Sequence, residues 1–245
     1  MTGTLVNVAA VVAGGVVGAL LGGRVPDRVR TTLTDVLGVF VVVLGIGDAL
    51  TTFGDELATA LDRAAVLVVL GSLLVGGVVG ELLAIEDRLE RLGSWLRERT
   101  TRRGGAADSS GARARFIEGF VVTSLVITVG PLAVLGALQD GLTGDWTLLA
   151  VKSLLDGPVA LAFASVFGVG VAFAALPMLA WQGGLTLLAA GAGAAVTEPM
   201  VAALTAVGGV MVVGIGLRLL ELRAVRVANL LPALVIAPLV VALWP

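Results

Sequence analysis

The chain has 245 residues, of which 58% are hydrophobic and only 14% are charged. Its mean hydropathy of +1.05 lies far above the range of soluble domains, so the composition places the chain in the membrane class. The sequence contains no Cys, His or Tyr, which excludes disulfides, thiolate metal sites and catalysis by imidazole or thiolate groups. A net charge of -2 without a basic patch gives no reason to expect a nucleic-acid partner.

Eight stretches are apolar and long enough to cross a bilayer as helices, since a span needs about 20 residues. The first stretch lacks the preceding Lys or Arg of a secretory signal and is interpreted as a span. The predicted spans are 4–22, 33–51, 64–84, 116–138, 146–168, 169–192, 199–220 and 227–244. The sequence therefore predicts an all-α, polytopic membrane protein with one transmembrane domain over 1–245.

The distribution of arginine predicts the orientation. If the eight spans alternate in direction, the loops 23–32, 85–115 and 218–226 lie on one side and contain 14 of the 15 Arg residues, whereas Arg63 lies on the other. Arginine is retained on the cytoplasmic side of membranes. We therefore predict a multi-pass protein of the plasma (inner) membrane with both termini outside.

The segment 85–115 separates the third and fourth spans on the predicted cytoplasmic side. Residues 85–103 form an amphipathic pattern, with charged side chains on one helical face and apolar side chains on the other. The apolar side chains are Leu89, Leu92, Trp95 and Leu96. This pattern predicts a helix lying in the inner membrane interface or, equally, a solvated connector helix. The Gly- and Ser-rich stretch 104–111 predicts a flexible linker.

An internal repeat is present in the sequence. An offset of 169 positions (214 minus 45) aligns Gly14, Gly15, Gly22, Val43, Gly45, Ile46 and Gly47 with Gly183, Gly184, Gly191, Val212, Gly214, Ile215 and Gly216. The match relates the first two spans to the sixth and seventh, and an offset of five spans means opposite orientation. We therefore predict an inverted-topology repeat, spans 1–3 (1–84) against spans 6–8 (169–245), around a central pair at 116–168, as in many transporters and channels.

Glycines recur at intervals of four residues in two of the spans. They are Gly14, Gly18 and Gly22 in the first span, and Gly76 and Gly80 in the third. Small residues at this spacing let helix backbones approach closely in lipid, so these glycines are interpreted as packing positions.

The fifth span contains Lys152 and Asp156, four residues apart and so on one helical face. Counted from residue 146, Asp156 lies about 15 Å deep and Lys152 about 9 Å deep. A charge at the bilayer centre costs at least ~2.5–3.5 kcal/mol, so the two residues are expected to face protein or water. Lys152 is the only Lys beside 15 Arg, which indicates a position-specific need for a deprotonatable ammonium. The alternative is a structural ion pair that locks two helices.

Helix-breaking residues accompany these charges. Gly157-Pro158 follows Asp156, and Gly130-Pro131 interrupts the fourth span, so both central helices are predicted to be broken. Broken helices expose carbonyl oxygens that can bind an ion. The residues predicted to bind an ion or line its pathway are Asp156, Lys152, Gln182, Gly130, Pro131, Thr128, Ser124, Glu118 and Asn7. Gln182 is equally consistent with a satisfied interhelical hydrogen bond, and Glu118, Asn7 and Asp48 are interpreted mainly as interfacial, water-reachable groups.

Four runs resemble the YqgA/YdfK-like bacterial and archaeal membrane proteins, known as domain of unknown function 554. They are GTLVNVAAVVAGGVVGALLG (3–22), FIEGFVVTSLVITVGPLAVLGALQDGL (116–142), VKSLLDG (151–157) and FGVGVAFAALPMLAWQGGLTLLA (167–189). The resemblance covers nearly the whole chain. It implies a membrane protein with no assigned catalytic residues, from a family whose members are described as candidate sodium channels or pumps.

The leading hypothesis is a channel or secondary transporter for a small ion, such as an alkali cation, and not an enzyme. The alternative is a non-transporting membrane scaffold whose Lys-Asp pair and glycines serve packing. A hydrolase is disfavoured because neither metal ligands nor a suitable base cluster in one place. The expected partners are the lipid bilayer and a small ion, with a homo-oligomer left open. No cofactor is expected.

Overall fold

The computed structural model describes residues 1–23, 26–101, 110–128, 131–192 and 197–244, which form helices and no strand. Eleven α-helices lie in these residues: α1 (Thr2–Gly22), α2 (Asp27–Ala49), α3 (Asp55–Leu61), α4 (Ala65–Leu82), α5 (Ile85–Thr101), α6 (Ser110–Thr128), α7 (Pro131–Thr143), α8 (Thr147–Phe167), α9 (Ala175–Ala192), α10 (Glu198–Leu219) and α11 (Ala233–Ala242). Four short 3-10 turns join them, at Leu50–Phe53, Asp62–Ala64, Val169–Ala174 and Val227–Leu230.

By length and composition, five helical segments of the described chain are able to cross a membrane: Thr2–Gly22, Arg28–Leu82, Thr147–Phe167, Val169–Gly191 and Glu198–Leu219. The second is a run of 55 residues that contains both α2 and α4. The bent pair α6–α7 makes a sixth if it is counted as one span, and Val227–Ala242 is shorter than the others. The all-helical fold with apolar spans is therefore confirmed, whereas the number eight stays a prediction.

The predicted break in the fourth span is present. α6 begins at Ser110, earlier than predicted, and meets α7 at a bend of 62°. On one side of the bend Gly119 lies against Phe167, and on the other side Gly136 lies against Leu149, so α6 and α7 together follow α8 antiparallel from end to end. This course is that of one broken helix and differs from that of a loop that turns back on itself.

α8 corrects the prediction of a second broken helix. It runs without interruption through Gly157 and Pro158. Pro158 lacks the N–H that would bond to the turn before it, but packed neighbours sustain such a helix in a membrane protein. α1 supplies that packing, since a Cβ added at Gly14 would come within 2.2 Å of the Gly157 carbonyl oxygen.

Close glycine contacts join α1 to α8. Gly14, Gly18 and Gly22 lie against Gly157, Leu161 and Ser165 in turn, a constant offset, so the two helices run parallel. In the same way Gly76 and Gly80 of α4 lie against Ala233 and Asn229, which makes α4 antiparallel to α11. The glycines thus have the packing role that their spacing predicts.

The helices form two groups with many contacts inside each group and few between them. The first helix group contains α1, α6, α7, α8 and α9, and the second contains α2, α4, α10 and α11. The chain passes between the groups from α1 to α2, from α4 through α5 to α6, and from α9 to α10.

The antiparallel pair α2–α10 has reciprocal contacts. Gly45 lies against Gly209 and Val213, while Gly216 lies against Gly38 and Val42. The two contacts are related by an offset of 171 (209 minus 38). Adding 171 to Gly45 gives Gly216 and subtracting 171 from Gly209 gives Gly38, so the contact of Gly45 with Gly209 corresponds to that of Gly216 with Gly38. Gly214, which the offset of 169 pairs with Gly45, lies instead against Val227 and Val225.

α5 is a helix, as its amphipathic pattern predicts, and it packs on α6 through Gly93, near Phe120 and Ile117. Its apolar side chains divide between two surroundings, because Leu96 is buried whereas Leu92 and Trp95 are exposed. Exposed apolar groups suit a membrane interface, but neither prediction for this helix is excluded. Of the predicted linker, 104–109 lies outside the described residues, and the last two residues form the first turn of α6.

Candidate functional site

An ion pair lies in the middle of α8. Lys152 Nζ donates a hydrogen bond to Asp156 Oδ2, one helical turn further on, and a second to the carbonyl oxygen of Ile127 at 2.9 Å. Ile127 belongs to the last turn of α6, just before the bend, so the ammonium ties α8 to the broken helix. Both charged residues are buried, at 5% and 8% exposure. A buried pair is tolerated only where its remaining polar atoms also find partners.

Asn7 of α1 connects this pair to α9. Its Nδ2 atom donates to Asp156 Oδ2 at 2.9 Å and to Gln182 Oε1 at 3.2 Å. Asn7 and Gln182 are fully buried. The four residues Asn7, Lys152, Asp156 and Gln182, called here the polar cluster, therefore join α1, α8 and α9 at a single point inside the first helix group.

Several polar atoms around the cluster lack a partner in the part of the chain that the structure describes. They are Asn7 Oδ1 and Gln182 Nε2. The second carboxylate oxygen of Asp156 also accepts no hydrogen bond from a described residue. Buried groups of this kind are rare in native proteins and often mark a place for water or an ion. Two of the three atoms, Asn7 Oδ1 and Asp156 Oδ1, are oxygens, which are the ligands that alkali and alkaline-earth cations prefer.

Polar side chains continue from the cluster toward the predicted outer end of α1. Thr186 of α9 donates its hydroxyl proton to the Gln182 carbonyl oxygen at 3.0 Å and lies 3.3 Å from the hydroxyl of Thr4. At the residue next to Thr4, the backbone N–H of Gly3 donates to the buried carboxylate of Asp140 at 3.1 Å. Sequence reasoning missed Thr4, Thr186 and Asp140, because a Thr in an apolar helix is unremarkable until its partner on another helix is known.

A cavity of about 500 Å³ lies between the two helix groups, beside the ion pair. Its charged lining residues are Lys152 and Asp156 from α8 and Asp48 from α2, and all its other lining residues are apolar. Toward the carboxyl end of α8 the wall is formed by Phe163, which stacks on Phe167 at a centroid distance of 6.1 Å. On α8, the lining residues between Asp156 and Phe163 are apolar, namely Pro158, Val159 and Ala162.

The other predicted site residues lie apart from the cluster. Ser124 is buried and donates to the Phe120 carbonyl oxygen within its own helix. Pro131 begins α7, Thr128 ends α6, and Gly130 lies outside the described residues. Glu118 is 4.0 Å from Arg218 in a separate group of charged residues on the predicted inner side, so it is not brought to the ion pair.

That inner group is centred on Arg218, which contacts Glu86 at 2.7 Å and Glu90 at 3.9 Å. Glu86 also accepts the N–H of Ala228, and its own N–H donates to Asn229 Oδ1 at 2.8 Å. Burial raises the pKa of Glu86, while the neighbouring Arg218 opposes that rise. These contacts hold α5 against the end of α10, and the described residues contain no group of three or more acids, His or Cys suited to a metal ion.

At the start of α8, Asp145 forms a local cap. Its carboxylate accepts the Thr147 hydroxyl proton at 2.6 Å and the Thr147 N–H at 2.9 Å. These bonds hold the pKa of Asp145 below its usual range. Asp145 is exposed and its side chain bonds only to the nearby residues Gln139 and Thr147 among the described residues, so it has no part in the polar cluster.

Comparison with known proteins now assigns the chain. The model of a family described as protein of unknown function (DUF554) matches residues 2–242. The chain belongs to this family. It is 29% identical to the uncharacterized membrane protein YdfK of Bacillus subtilis over 98% of this chain and 96% of the relative. It is 32% identical to the uncharacterized protein YqgA of Escherichia coli, over 99% and 97% respectively. No solved structure matches the chain.

The family assignment confirms the resemblance deduced from the sequence. It describes a membrane protein of unknown function, and the apolar helices are compatible with a membrane transporter.

Proposed function

We propose that the protein is a secondary transporter for a small monovalent cation, such as sodium, and that Asp156 is the cation's main ligand. One observation supports this most strongly. The Lys152–Asp156 pair borders a cavity of about 500 Å³ and has free oxygen ligands at Asn7 and Asp156 beside it. Ionisable residues this deep in an apolar helix are costly, and where they occur they mark ion pathways.

A transporter is preferred to an open channel because of what surrounds the cluster. A channel needs a continuous polar lining, whereas apolar and aromatic side chains form most of the cavity wall beside Asp156. A site at the boundary between two helix groups is the arrangement expected of alternating access, in which one group moves against the other. The inverted repeat, the location in the plasma membrane with both termini outside, and the small-ion partner belong to the same proposal.

The test is sodium uptake into vesicles that contain the purified protein. Asp156→Asn removes the charge but keeps the size, and we expect it to abolish uptake while the protein stays folded. The matched control is Asp145→Asn, the same chemical change at an exposed carboxylate outside the cluster, which should transport like the wild type. Normal uptake by Asp156→Asn would refute Asp156 as the ligand.

The second candidate is a scaffold, and the dense contacts of the cluster favour it. On that account the ion pair only locks α8 to α1 and α6. Removing one partner should then cost about 3–5 kcal/mol, because it leaves a buried charge unpaired. The double variant Lys152→Met, Asp156→Leu should recover the stability. If the wild type moves no cation and the double variant is as stable as the wild type, the scaffold is the better description.

A further inference from the structure

Asp48 lines the same cavity as the ion pair. It belongs to α2 in the second helix group, whereas Lys152 and Asp156 belong to α8 in the first, and all three line the same space of about 500 Å³. A sphere of that volume is about 10 Å across, which is small for three charged groups within apolar walls.

The charges that line the cavity do not balance. They comprise two carboxylates and one ammonium, and the ammonium is paired with Asp156. The half-buried carboxylate of Asp48 has no hydrogen bond or ion pair with a residue that the structure describes. A carboxylate against apolar walls is costly unless a positive charge accompanies it. One monovalent cation would neutralise the cavity, whereas a divalent cation would leave an excess positive charge.

An independent feature beside Asp156 indicates where that cation binds. The Oδ1 atom of the fully buried Asn7 accepts no hydrogen bond, although the Nδ2 atom of the same side chain is bonded to Asp156. The hydrogen bond from Asn7 Nδ2 to Asp156 Oδ2 holds the two side chains together. The amide oxygen of Asn7 and the other carboxylate oxygen of Asp156 accept no hydrogen bond from a described residue, so they are suitable ligands for a dehydrated alkali cation. The cation therefore has a place at Asp156 if the ammonium of Lys152 leaves it.

We propose that Asp48 is the alternative partner of Lys152 and takes up its ammonium when a monovalent cation binds at Asp156. This rests on the proposed cation transport for its purpose, but it concerns binding. In the empty state Lys152 pairs with Asp156. In the loaded state Lys152 pairs with Asp48 and the cation with Asp156, so every charge has a partner. Because the two carboxylates belong to different helix groups, the exchange links cation binding to the approach of α2 toward α8.

The test measures sodium binding by the purified full chain in detergent, as the rise of its melting temperature in sodium chloride over choline chloride at equal ionic strength. Asp48→Asn should weaken sodium binding by at least about tenfold, the effect expected of a unit charge about 10 Å away at an effective dielectric constant of about 20. Asp55→Asn is the matched control, because Asp55 is an exposed carboxylate at the start of α3 outside the cavity, and it should bind sodium like the wild type. Magnesium chloride should give no comparable stabilisation.

A second variant keeps the proposal testable if Asp48→Asn does not fold. Lys152→Met leaves both carboxylates without their ammonium, and we expect it to bind sodium at least about tenfold more tightly than the wild type. Wild-type sodium dependence in Asp48→Asn, or weaker binding in Lys152→Met, would overturn the proposal. If Asp48→Asn transports normally and Asp156→Asn does not, the exchange is wrong and the transport function stands. If the wild type transports no sodium but is stabilised by it, and Asp48→Asn is not stabilised, the transport function is wrong and the cation site stands.

Discussion

Gly18 provides a direct test of the packing that positions the polar cluster. An added Cβ at Gly18 would lie 2.2 Å from the carbonyl oxygen of Leu161, a backbone atom that cannot turn aside. To reach even a 3.0 Å contact, α1 must move from α8 by 0.8 Å, the difference between the two distances. Overpacking of this kind costs about 1–3 kcal/mol. Since α1 supplies Asn7, the same shift lengthens its 2.9 Å hydrogen bond to Asp156.

Gly47→Ala is the matched control for Gly18→Ala. Gly47 also lies in an apolar helix, but a Cβ added there meets no atom within 4 Å, so the change removes backbone freedom and should stabilise the helix by about 0.5–1 kcal/mol. Because Gly18→Ala gains the same backbone stabilisation, the two variants should differ by the cost of overpacking, about 1–3 kcal/mol in the free energy of unfolding. The assay is unfolding by sodium dodecyl sulfate in mixed micelles, followed by circular dichroism. Equal stabilities for the two variants would show that α1 and α8 are not packed through Gly18.

Two further predictions concern the predicted inner side. Single cysteines introduced into 104–111 of the cysteine-free chain should react with a membrane-impermeant maleimide only after the cells are opened. A cysteine that replaces Thr143 should react in intact cells. The reverse pattern would contradict the predicted orientation. Arg218→Met should destabilise the protein more at pH 8 than at pH 5, because Glu86 then has no neighbouring cation and its raised pKa moves higher still. The stability that protonated Glu86 contributes is present at low pH and is lost as the pH rises through that pKa, and a pH-independent loss of melting temperature would contradict this account.

Hydropathy and helical periodicity predicted most of the fold, since an apolar helix can be recognised without its neighbours. Breaks are harder to predict, because Gly-Pro acts differently in different surroundings. α6 ends at Thr128 and α7 begins at Pro131 with a bend of 62° between the two helices, whereas Gly157-Pro158 lies within a continuous α8. The continuous helix is packed at this point by α1, whose Gly14 lies against the Gly157 carbonyl oxygen. A contact between residues so far apart in sequence has no local signal.

The candidate site was predictable only in part for the same reason. Lys152 and Asp156 are conspicuous because they are charged in an apolar helix and share a face. Asn7 was interpreted mainly as interfacial, yet the structure places it between Asp156 and Gln182, fully buried. Its depth along α1 suggested the interface, but the parallel packing of α1 on α8 brings its side chain to the ion pair. Glu118 shows the opposite case, since it was grouped with the ion pair and lies beside Arg218.

The helix pairing supports an inverted repeat more strongly than the sequence alone does, although the repeat stays a prediction. In an inverted repeat each helix has an antiparallel counterpart, and the two are related by a pseudo-two-fold axis in the membrane plane. Where two counterparts touch at this axis, every contact between them should occur twice, with the two helices interchanged. α2 and α10 satisfy this residue by residue at an offset of 171, where Gly38 and Gly45 correspond to Gly209 and Gly216. α4 is antiparallel to α11 and α1 to α9, and α8 packs on α1 as α7 packs on α9. The sequence match uses an offset of 169, which differs by two residues from the offset of 171 that relates the α2–α10 contacts. Contacts between backbones distinguish the two offsets. The proposed exchange of Lys152 between Asp156 and Asp48 would take place where the α2–α10 pair meets α8 of the first helix group.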